Sequence, residues 1–141
     1  MAKGIHKRKT WVEKMDNGRE AVVKTTDKDF ADIPAGSRML IATPRIVDDY
    51  IRQIPPGRQA DTSRIRKDLA AEYGADYTCP VTTGIFLRIV SEAAYERLQA
   101  GEKLKDITPF WRAVGPKSPT AAKLSVPVEF LKERWRREGI E

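Results

Sequence analysis

Residues 80–99 read PVTTGIFLRIVSEAAYERLQ, and this stretch decides the fold. Apolar residues recur in it at steps of three and four, which predicts an amphipathic helix with one buried face. A proline suits the first position of a helix, and Gly101 suits the position just past its end. The sequence therefore predicts a helix from Pro80 or Thr83 to Gln99, with its apolar face formed by Ile85, Phe86, Ile89, Val90, Ala93, Ala94 and Leu98.

Two further helices are predicted ahead of this one. Thr43-Pro44 supplies an N-cap and a first-turn proline, and apolar residues follow at helical spacing until Pro55-Pro56-Gly57 ends the helix. Thr62 or Ser63 then caps a second helix that ends at Gly74. Thr83, the later of the two candidate starts of the next helix, comes nine positions after Gly74, and this spacing is compatible with a helix-turn-helix.

Extended segments and a last helix complete the predicted fold. Residues 38–43 are typical of a short strand, and residues 107–114 predict an extended wing after the helix-turn-helix. Ser125 is predicted to cap a last helix, which has Pro127 near its start and ends at Gly139. We therefore expect a mainly α domain with a winged helix-turn-helix over residues 41–141. Residues 1–40 are expected to form a basic, partly ordered N-terminal arm.

The charge of the chain favours a polyanionic partner. The 141 residues carry a net charge of +6, with 33% charged and 40% hydrophobic residues. The basic excess is concentrated in residues 1–30 and 51–70. A basic domain of this kind favours nucleic acid as its partner, the alternative being a merely soluble basic surface. No apolar run reaches the ~20 residues that span a bilayer, so we expect no membrane partner.

The single cysteine and single histidine limit the chemistry that the chain can perform. Cys79 alone makes no intramolecular disulfide and is compatible with a reducing, cytoplasmic location. Together with His6 it is too little for a four-ligand zinc site, and we predict neither metal nor cofactor. A thiol just before a helix can be reactive, yet free cysteine is more often a small buried hydrophobe.

Candidate contacts to nucleic acid lie around the second and third helices. Exposed basic residues near a helix start can bind phosphates, and polar residues on a recognition helix can reach base edges. The alternative is a solvated polar surface. The candidates are Arg58, Arg64, Arg66 and Lys67 around the second helix, with Thr82, Thr83, Arg88 and Tyr95 on the third. Phe110 and Trp111 form an aromatic pair that either stacks on a base or belongs to the core.

Four short motifs, in this order, resemble the C-terminal DNA-binding domain of alkylguanine-DNA alkyltransferases. They are Ile54-Pro-Pro-Gly57, Leu69-Ala-Ala-Glu-Tyr-Gly74, Pro109-Phe-Trp-Arg-Ala-Val114 and Glu138-Gly139. The resemblance covers residues 44–140. It is stronger still to a group of alkyltransferase-like proteins that lack the acceptor cysteine.

The departures from that family determine the activity that the resemblance implies. The acceptor cysteine of the family falls on Phe110 and its histidine on Trp111, whereas Arg112 and Glu138 match. A phenyl ring cannot accept an alkyl group by displacement, and an indole cannot act as the general base. The position of the family's arginine finger, which replaces a flipped base in the stack, falls on Gly84.

The resemblance therefore implies a DNA-binding protein without catalytic activity. We expect it to sense alkylated or flipped guanine in double-stranded DNA, to recruit other repair proteins, and to be associated with the nucleoid. The resemblance implies a base pocket formed by Pro109, Phe110, Trp111 and Arg112. The alternatives are a winged-helix regulator without lesion preference and a diverged enzyme of the family, and an RNA partner also stays open.

Overall fold

The computed structural model describes residues 9–141, so His6 lies outside the described residues. About 50% of the described residues are helical and 9% are in strands. The α-helices are α1 (Trp11–Lys14), α2 (Pro44–Arg52), α3 (Thr62–Glu72), α4 (Pro80–Gln99), α5 (Pro119–Lys123) and α6 (Val128–Glu138). Two 3-10 turns span Leu104–Asp106 and Phe110–Arg112, and the strands are β1 (Val22–Thr25), β2 (Arg38–Ile41) and β3 (Tyr77–Thr78). The prediction of a mainly helical domain is thus confirmed.

Local capping explains where the helices begin and end. The Thr43 hydroxyl accepts a hydrogen bond from the Ile46 amide at the start of α2, as predicted. The cap of α3 is Asp61, whose carboxylate accepts from the Arg64 amide, rather than Thr62 or Ser63. The start of α6 was also predicted wrongly, since Pro127 and not Ser125 precedes it, whereas Gly139 ends it with φ 72°.

α4 is the central element of the core, and the prediction of its buried face was partly wrong. Val90 and Ala94 are buried as expected, but Ile85 is 50% exposed and Ser91 is fully buried. α4 packs against α1 and α2 and also touches α3 and α5, so more than one side of it is covered. The Ser91 hydroxyl is satisfied inside this core because it donates to the Leu87 carbonyl at 2.8 Å.

The three strands form one small sheet in the order β1-β2-β3. β1 and β2 are antiparallel, with Val22 opposite Ile41, and β2 pairs with β3 in parallel, with Met39 opposite Tyr77. The sequence predicted β2, but no strand was expected between the second and third predicted helices, where the two-residue β3 lies. The Cys79 amide continues this pairing by donating to the Leu40 carbonyl at 2.8 Å.

The extended wing predicted at residues 107–114 is wrong. Residues 110–112 form a 3-10 turn, in which the Ala113 and Val114 amides both donate to the Phe110 carbonyl. No strand lies beside this segment in the described chain. The side chains of this turn point in different directions. Phe110 packs in the core, whereas Arg112 contacts α6.

The packed core extends across residue 40, the expected boundary between arm and domain. Met15 is 1% exposed and belongs to the same hydrophobic cluster as Val47 and Leu87. The amides of Trp11 and Val12 donate to the Glu96 carboxylate at 3.3 and 3.0 Å, which fastens α1 to α4. Residues 11–40 are therefore part of the fold that supports the candidate site.

Candidate nucleic-acid interface and two cavities

The Glu138 carboxylate joins three segments that are distant in sequence. It accepts hydrogen bonds from the Arg112 guanidinium twice at 2.9 Å, from the Trp111 indole at 2.8 Å and from the Gly57 amide at 3.0 Å. Arg112 also donates to the Ile54 carbonyl at 2.9 Å. The residues of three of the quoted motifs, at 54–57, 109–114 and 138–139, thus meet at one ion pair.

This environment determines the charge of Glu138. Burial acts to raise the pKa of its carboxyl, but the hydrogen bonds from Arg112, Gly57 and Trp111 and the charge of Arg112 outweigh it. The pKa of Glu138 therefore lies below its usual range. The carboxylate stays ionised near neutral pH, and its hydrogen bonds occupy it fully as a structural clamp.

Phe110 is a core residue in the structure and lines neither of the cavities described below. It is fully buried, and its ring stacks on Phe130 with the centroids 5.8 Å apart and the planes at 9°. The Trp111 ring meets Phe110 edge-on at 5.6 Å and is 3% exposed. This aromatic pair therefore belongs to the core in the structure, which is the second of the two interpretations of the sequence.

A cavity of about 880 Å³ opens between the start of α3, the start of α4, the loop before α5, and α6. We call it the larger cavity; Ser63, Gly84, Lys117, Ser118, Lys132 and Trp135 line it. The Trp135 indole is held in place because it donates to the Trp111 carbonyl at 2.6 Å. Gly115 is required beside it, since a Cβ there would lie 2.7 Å from the Trp135 ring. The larger cavity therefore has one firmly positioned aromatic wall.

A second cavity of about 450 Å³ lies on another side of the turn at residues 110–112. We call it the basic cavity; its lining includes Arg52, Lys105, Trp111, Arg112, Arg134 and Glu138. Pro109 lines it as well. The predicted base-pocket residues Pro109, Trp111 and Arg112 thus face the basic cavity, whereas Gly84 faces the larger one. The predicted finger position and the predicted base-pocket residues therefore line different cavities in the structure.

The exposed face of α4 differs from the predicted one. Thr83 is 1% exposed and donates to the Cys79 carbonyl at 2.6 Å, and the Thr82 hydroxyl oxygen is buried without a hydrogen-bond partner. Val81 and Ile85 are instead 55% and 50% exposed. Together with the exposed Arg88 they occupy positions i, i+4 and i+7, a helical stripe that spacing alone could have identified.

Arg88 and Tyr95, the other predicted contacts on α4, both have partners within the protein. The Arg88 guanidinium lies over the Trp11 ring, 5.2 Å from its centre. Tyr95 is half-buried and meets the Phe130 ring edge-on at 5.4 Å. Only Arg88 of this pair is exposed, so Arg88 is the one that a macromolecule on this face could contact.

The predicted basic residues around α3 fall into two groups. The Arg66 guanidinium binds the Asp32 carboxylate and the Thr78 carbonyl, and its side chain is only 17% exposed. Arg64 is exposed but pairs with Asp68. Arg58 and Lys67 are exposed and have no carboxylate partner within residues 9–141. These two residues are therefore the best placed of the four to bind phosphates.

Asp68 is held by more than its arginine. The Tyr50 hydroxyl donates to it at 2.5 Å, and this bond, followed by the bonds from Arg64, lowers the pKa of Asp68. Burial, and then the bond to Asp68, raises the pKa of Tyr50. The hydroxyl keeps its proton and the carboxylate its charge, so Arg64 remains paired at neutral pH.

The described residues offer few other groups for catalysis or metal binding. Cys79 is 4% exposed, and residues 9–141 contain no group of three or more acidic, histidine or cysteine side chains that could hold a metal ion. None of the described helices combines the length and apolarity needed to cross a membrane. The chain matches no protein-family model, no curated protein and no solved structure.

Proposed function

We propose that the protein binds double-stranded DNA without catalysing a reaction and senses alkylated guanine that is flipped out of the helix. The observation that carries this proposal is the exposed stripe of Val81, Ile85 and Arg88 on α4 beside Gly84, which lines the larger cavity. A surface that contacts DNA and a cavity that holds a base are the two parts that base flipping requires. The motif resemblance and the net charge of +6 support the same function.

The exposed apolar residues of α4 are suited to the step that opens the base stack. Apolar side chains inserted between base steps unstack and kink DNA at a cost of a few kcal/mol. Val81 and Ile85 are such side chains, and in sequence they lie on either side of Gly84, the position on which the family's finger residue falls. Arg88, one turn further on, contributes a positive charge towards the phosphates.

The larger cavity has properties that suit a purine. Its volume of about 880 Å³ lies within the roughly 300–1,000 Å³ of small-molecule sites. Trp135 supplies an aromatic wall and Ser63 and Ser118 supply hydroxyl groups, while the charged residues of the lining are Lys117, Lys132, Asp61 and Glu141. A flipped base is typically held by stacking and by hydrogen bonds to its edge.

The helix pair α3 and α4 is the proposed helix-turn-helix. Arg58 and Lys67 are the proposed phosphate contacts because neither is engaged by a carboxylate within residues 9–141. The wing expected at residues 107–114 has no counterpart there, so the winged form of the motif is not part of this proposal. A nucleoid location in the cytoplasm and recruitment of repair proteins follow from the proposed function.

The absence of alkyl transfer is proposed from the side chains at the acceptor position. Phe110 carries no nucleophilic atom, and the Trp111 indole N–H is bound to Glu138. Cys79 is buried, which disfavours reaction with an alkyl group on DNA. Incubation with a duplex that contains O6-methylguanine should leave the mass of the protein unchanged; a gain of one methyl group would contradict this part of the proposal.

The decisive experiment blocks the larger cavity at Gly84. A Cβ at this position meets no atom within 4 Å, so Gly84→Ala should fold and bind as wild type does, and Gly84→Phe should fill the mouth of the cavity. Affinities for unmodified and O6-methylguanine duplexes are compared across a salt series. We expect wild type and Gly84→Ala to prefer the alkylated duplex and Gly84→Phe to lose this preference. Equal wild-type affinities, or a preference that survives in Gly84→Phe, would overturn the proposal.

A second candidate function is DNA binding without lesion preference. The burial of Phe110 favours it, because the aromatic residue at the acceptor position is not available to stack on a base. The same titrations separate the two functions. Equal affinity of wild type for both duplexes, with a steep salt dependence, would identify the plain DNA-binding protein.

A further inference from the structure

The basic cavity contains more positive than negative charge. Four basic side chains line it, Arg52, Lys105, Arg112 and Arg134, and Glu138 is the one carboxylate among its lining residues. It shares no lining residue with the larger cavity. Its chemistry is therefore separate from the proposed base site.

The internal carboxylates neutralise only two of the four basic side chains. Arg112 is bound by Glu138 in a two-pronged ion pair, and Arg52 is bound by Asp48 at 3.0 Å. Asp48 is 4% exposed and also accepts a hydrogen bond from the Thr108 hydroxyl. Lys105 and Arg134 have no carboxylate partner in the part of the chain that the structure describes. Two positive charges at this cavity thus remain without a counter-ion among those residues.

Two guanidinium groups of the basic cavity lie near the Trp111 ring. The central carbons of the Arg112 and Arg134 guanidinium groups lie 5.8 and 5.9 Å from the centre of the Trp111 ring. The ring itself is fixed by its hydrogen bond to Glu138. Guanidinium groups match the oxygen geometry of phosphate; that of Arg112 is engaged by Glu138 and Ile54, whereas that of Arg134 has no carboxylate partner among the described residues.

We propose that the basic cavity binds the terminal phosphate of a phosphate monoester. A monoester carries about 1.5 to 2 negative charges near neutral pH, which matches the two positive charges of Lys105 and Arg134. A volume of about 450 Å³ leaves room for an organic group beside the phosphate. A free nucleotide and the 5′-phosphate end of a nucleic-acid strand present the same chemical group, and both are sources of such a ligand.

The test uses methyl phosphate and dimethyl phosphate as probes, titrated by calorimetry and by amide shifts in nuclear magnetic resonance. The two probes differ mainly in charge, so the cavity should bind methyl phosphate with one-to-one stoichiometry and dimethyl phosphate at least tenfold more weakly. Lys105→Ala and Arg134→Ala should each weaken methyl phosphate binding about tenfold. Lys103→Ala is the matched control, because it removes an exposed charge that does not line the cavity; its affinity should equal that of wild type.

Several results would overturn the proposal. The proposal would be wrong if methyl phosphate showed no saturable binding, or if dimethyl phosphate bound with the same affinity. It would also be wrong if Lys103→Ala and Lys105→Ala lost the same amount of affinity for methyl phosphate. Arg134 also packs against Trp111, so thermal melting of Arg134→Ala checks that the variant folds. If that variant does not fold, Lys105→Ala decides the matter by itself, because the Lys105 side chain is exposed and its removal leaves the core intact.

Two further arms distinguish the sources of the phosphate. Adenosine 5′-monophosphate is titrated directly, and a single-stranded oligonucleotide is compared with and without its 5′-phosphate. Binding of the nucleotide that Lys105→Ala weakens indicates a free nucleotide, and a preference for the phosphorylated strand that the same variant removes indicates a strand end. If neither ligand depends on Lys105, the proposal fails. The outcome does not depend on whether the larger cavity accepts alkylguanine, which Gly84→Phe tests separately.

Discussion

At the scale of single residues, Glu138 shows how one carboxylate stabilises a site assembled from distant segments. It binds Trp111 and Arg112 across 26–27 residues of sequence and the Gly57 amide across 81 residues. The side chains of Arg112 and Glu138 are both only 13% exposed. Such a pair is strongly coupled, because loss of one partner leaves the other charge largely buried.

We predict that Glu138→Ala lowers the free energy of unfolding by about 3 kcal/mol, the lower part of the range for breaking a buried ion pair. The measurement is denaturant unfolding at neutral pH. Glu133→Ala is the control and should have a much smaller effect, since Glu133 pairs with the exposed Arg136 and Arg137. Equal effects of the two substitutions would contradict the assignment of Glu138 as a clamp.

The pH dependence of stability follows from the lowered pKa of Glu138. The folded-state pKa lies below the ordinary value of 4.5, so the ionised carboxylate stabilises the fold above that pH. The stabilisation is lost as the pH falls from 4.5 through the lowered folded-state pKa. Melting curves between about pH 7 and about pH 3 should show a smaller acid-induced loss in Glu138→Gln than in wild type; equal losses would contradict the prediction.

Phe110 gives the second prediction for a buried residue. Its ring is fully buried against Phe130 and Trp111. Phe110→Ala should lower stability by about 3–5 kcal/mol, because it removes a large apolar group and leaves a cavity. Thermal melting measures this effect. A variant that melts as wild type does would show that the ring contributes little to the core.

At the scale of secondary-structure elements, α4 combines a buried side and an exposed apolar stripe. Its buried side contains Val90 and Ala94, and Glu92 accepts hydrogen bonds from both the amide and the hydroxyl of Ser125. Its first turns expose Val81 and Ile85. The buried side fixes the helix in the core, which leaves the exposed stripe free for a partner.

We predict that Ile85→Ala changes the free energy of unfolding by no more than about 0.5 kcal/mol, because the side chain is 50% exposed. The same change should weaken DNA binding at least fivefold if Ile85 enters the base stack. Val22→Ala on β1 removes a similarly exposed apolar side chain and should leave DNA binding unchanged. Fluorescence anisotropy with a labelled duplex makes the comparison; equal affinities of the two variants would exclude a role for Ile85.

At the scale of the whole molecule, the net charge of +6 favours the proposed binding to DNA, and the number of phosphate contacts should set its salt dependence. Each phosphate contact contributes a slope of about −0.9 in log K against log salt concentration. Arg58→Ala and Lys67→Ala should each flatten the slope by about that amount. Arg66→Ala should instead lower stability, because Arg66 is engaged by Asp32 and Thr78. Slopes that stay the same in Arg58→Ala and Lys67→Ala would refute their assignment as phosphate contacts.

The sequence by itself determined the elements whose causes are local. α2, α3, α4 and α6 were predicted because capping and the spacing of apolar residues act within one or two turns. β2 was predicted from its short apolar run. The buried side of α4, the strand β3 and the turn at residues 110–112 were decided only by tertiary structure. Each of them depends on contacts with parts of the chain that local patterns do not include.

The candidate site likewise combines features that local sequence predicts with features that only tertiary contacts decide. The sequence predicted Gly84 and the segment at 109–112 as site residues, but it did not predict the two separate cavities, of which Gly84 lines one and Pro109, Trp111 and Arg112 line the other. It also could not show that Arg66 is bound by Asp32, 34 residues away, or that Glu138 is bound by Gly57, 81 residues away. Such contacts form only when the whole core packs, because closing long loops is unfavourable until many contacts form together. The sequence thus set the helices and the charge, and the packing of the core decided which charged side chains stay free to bind a ligand.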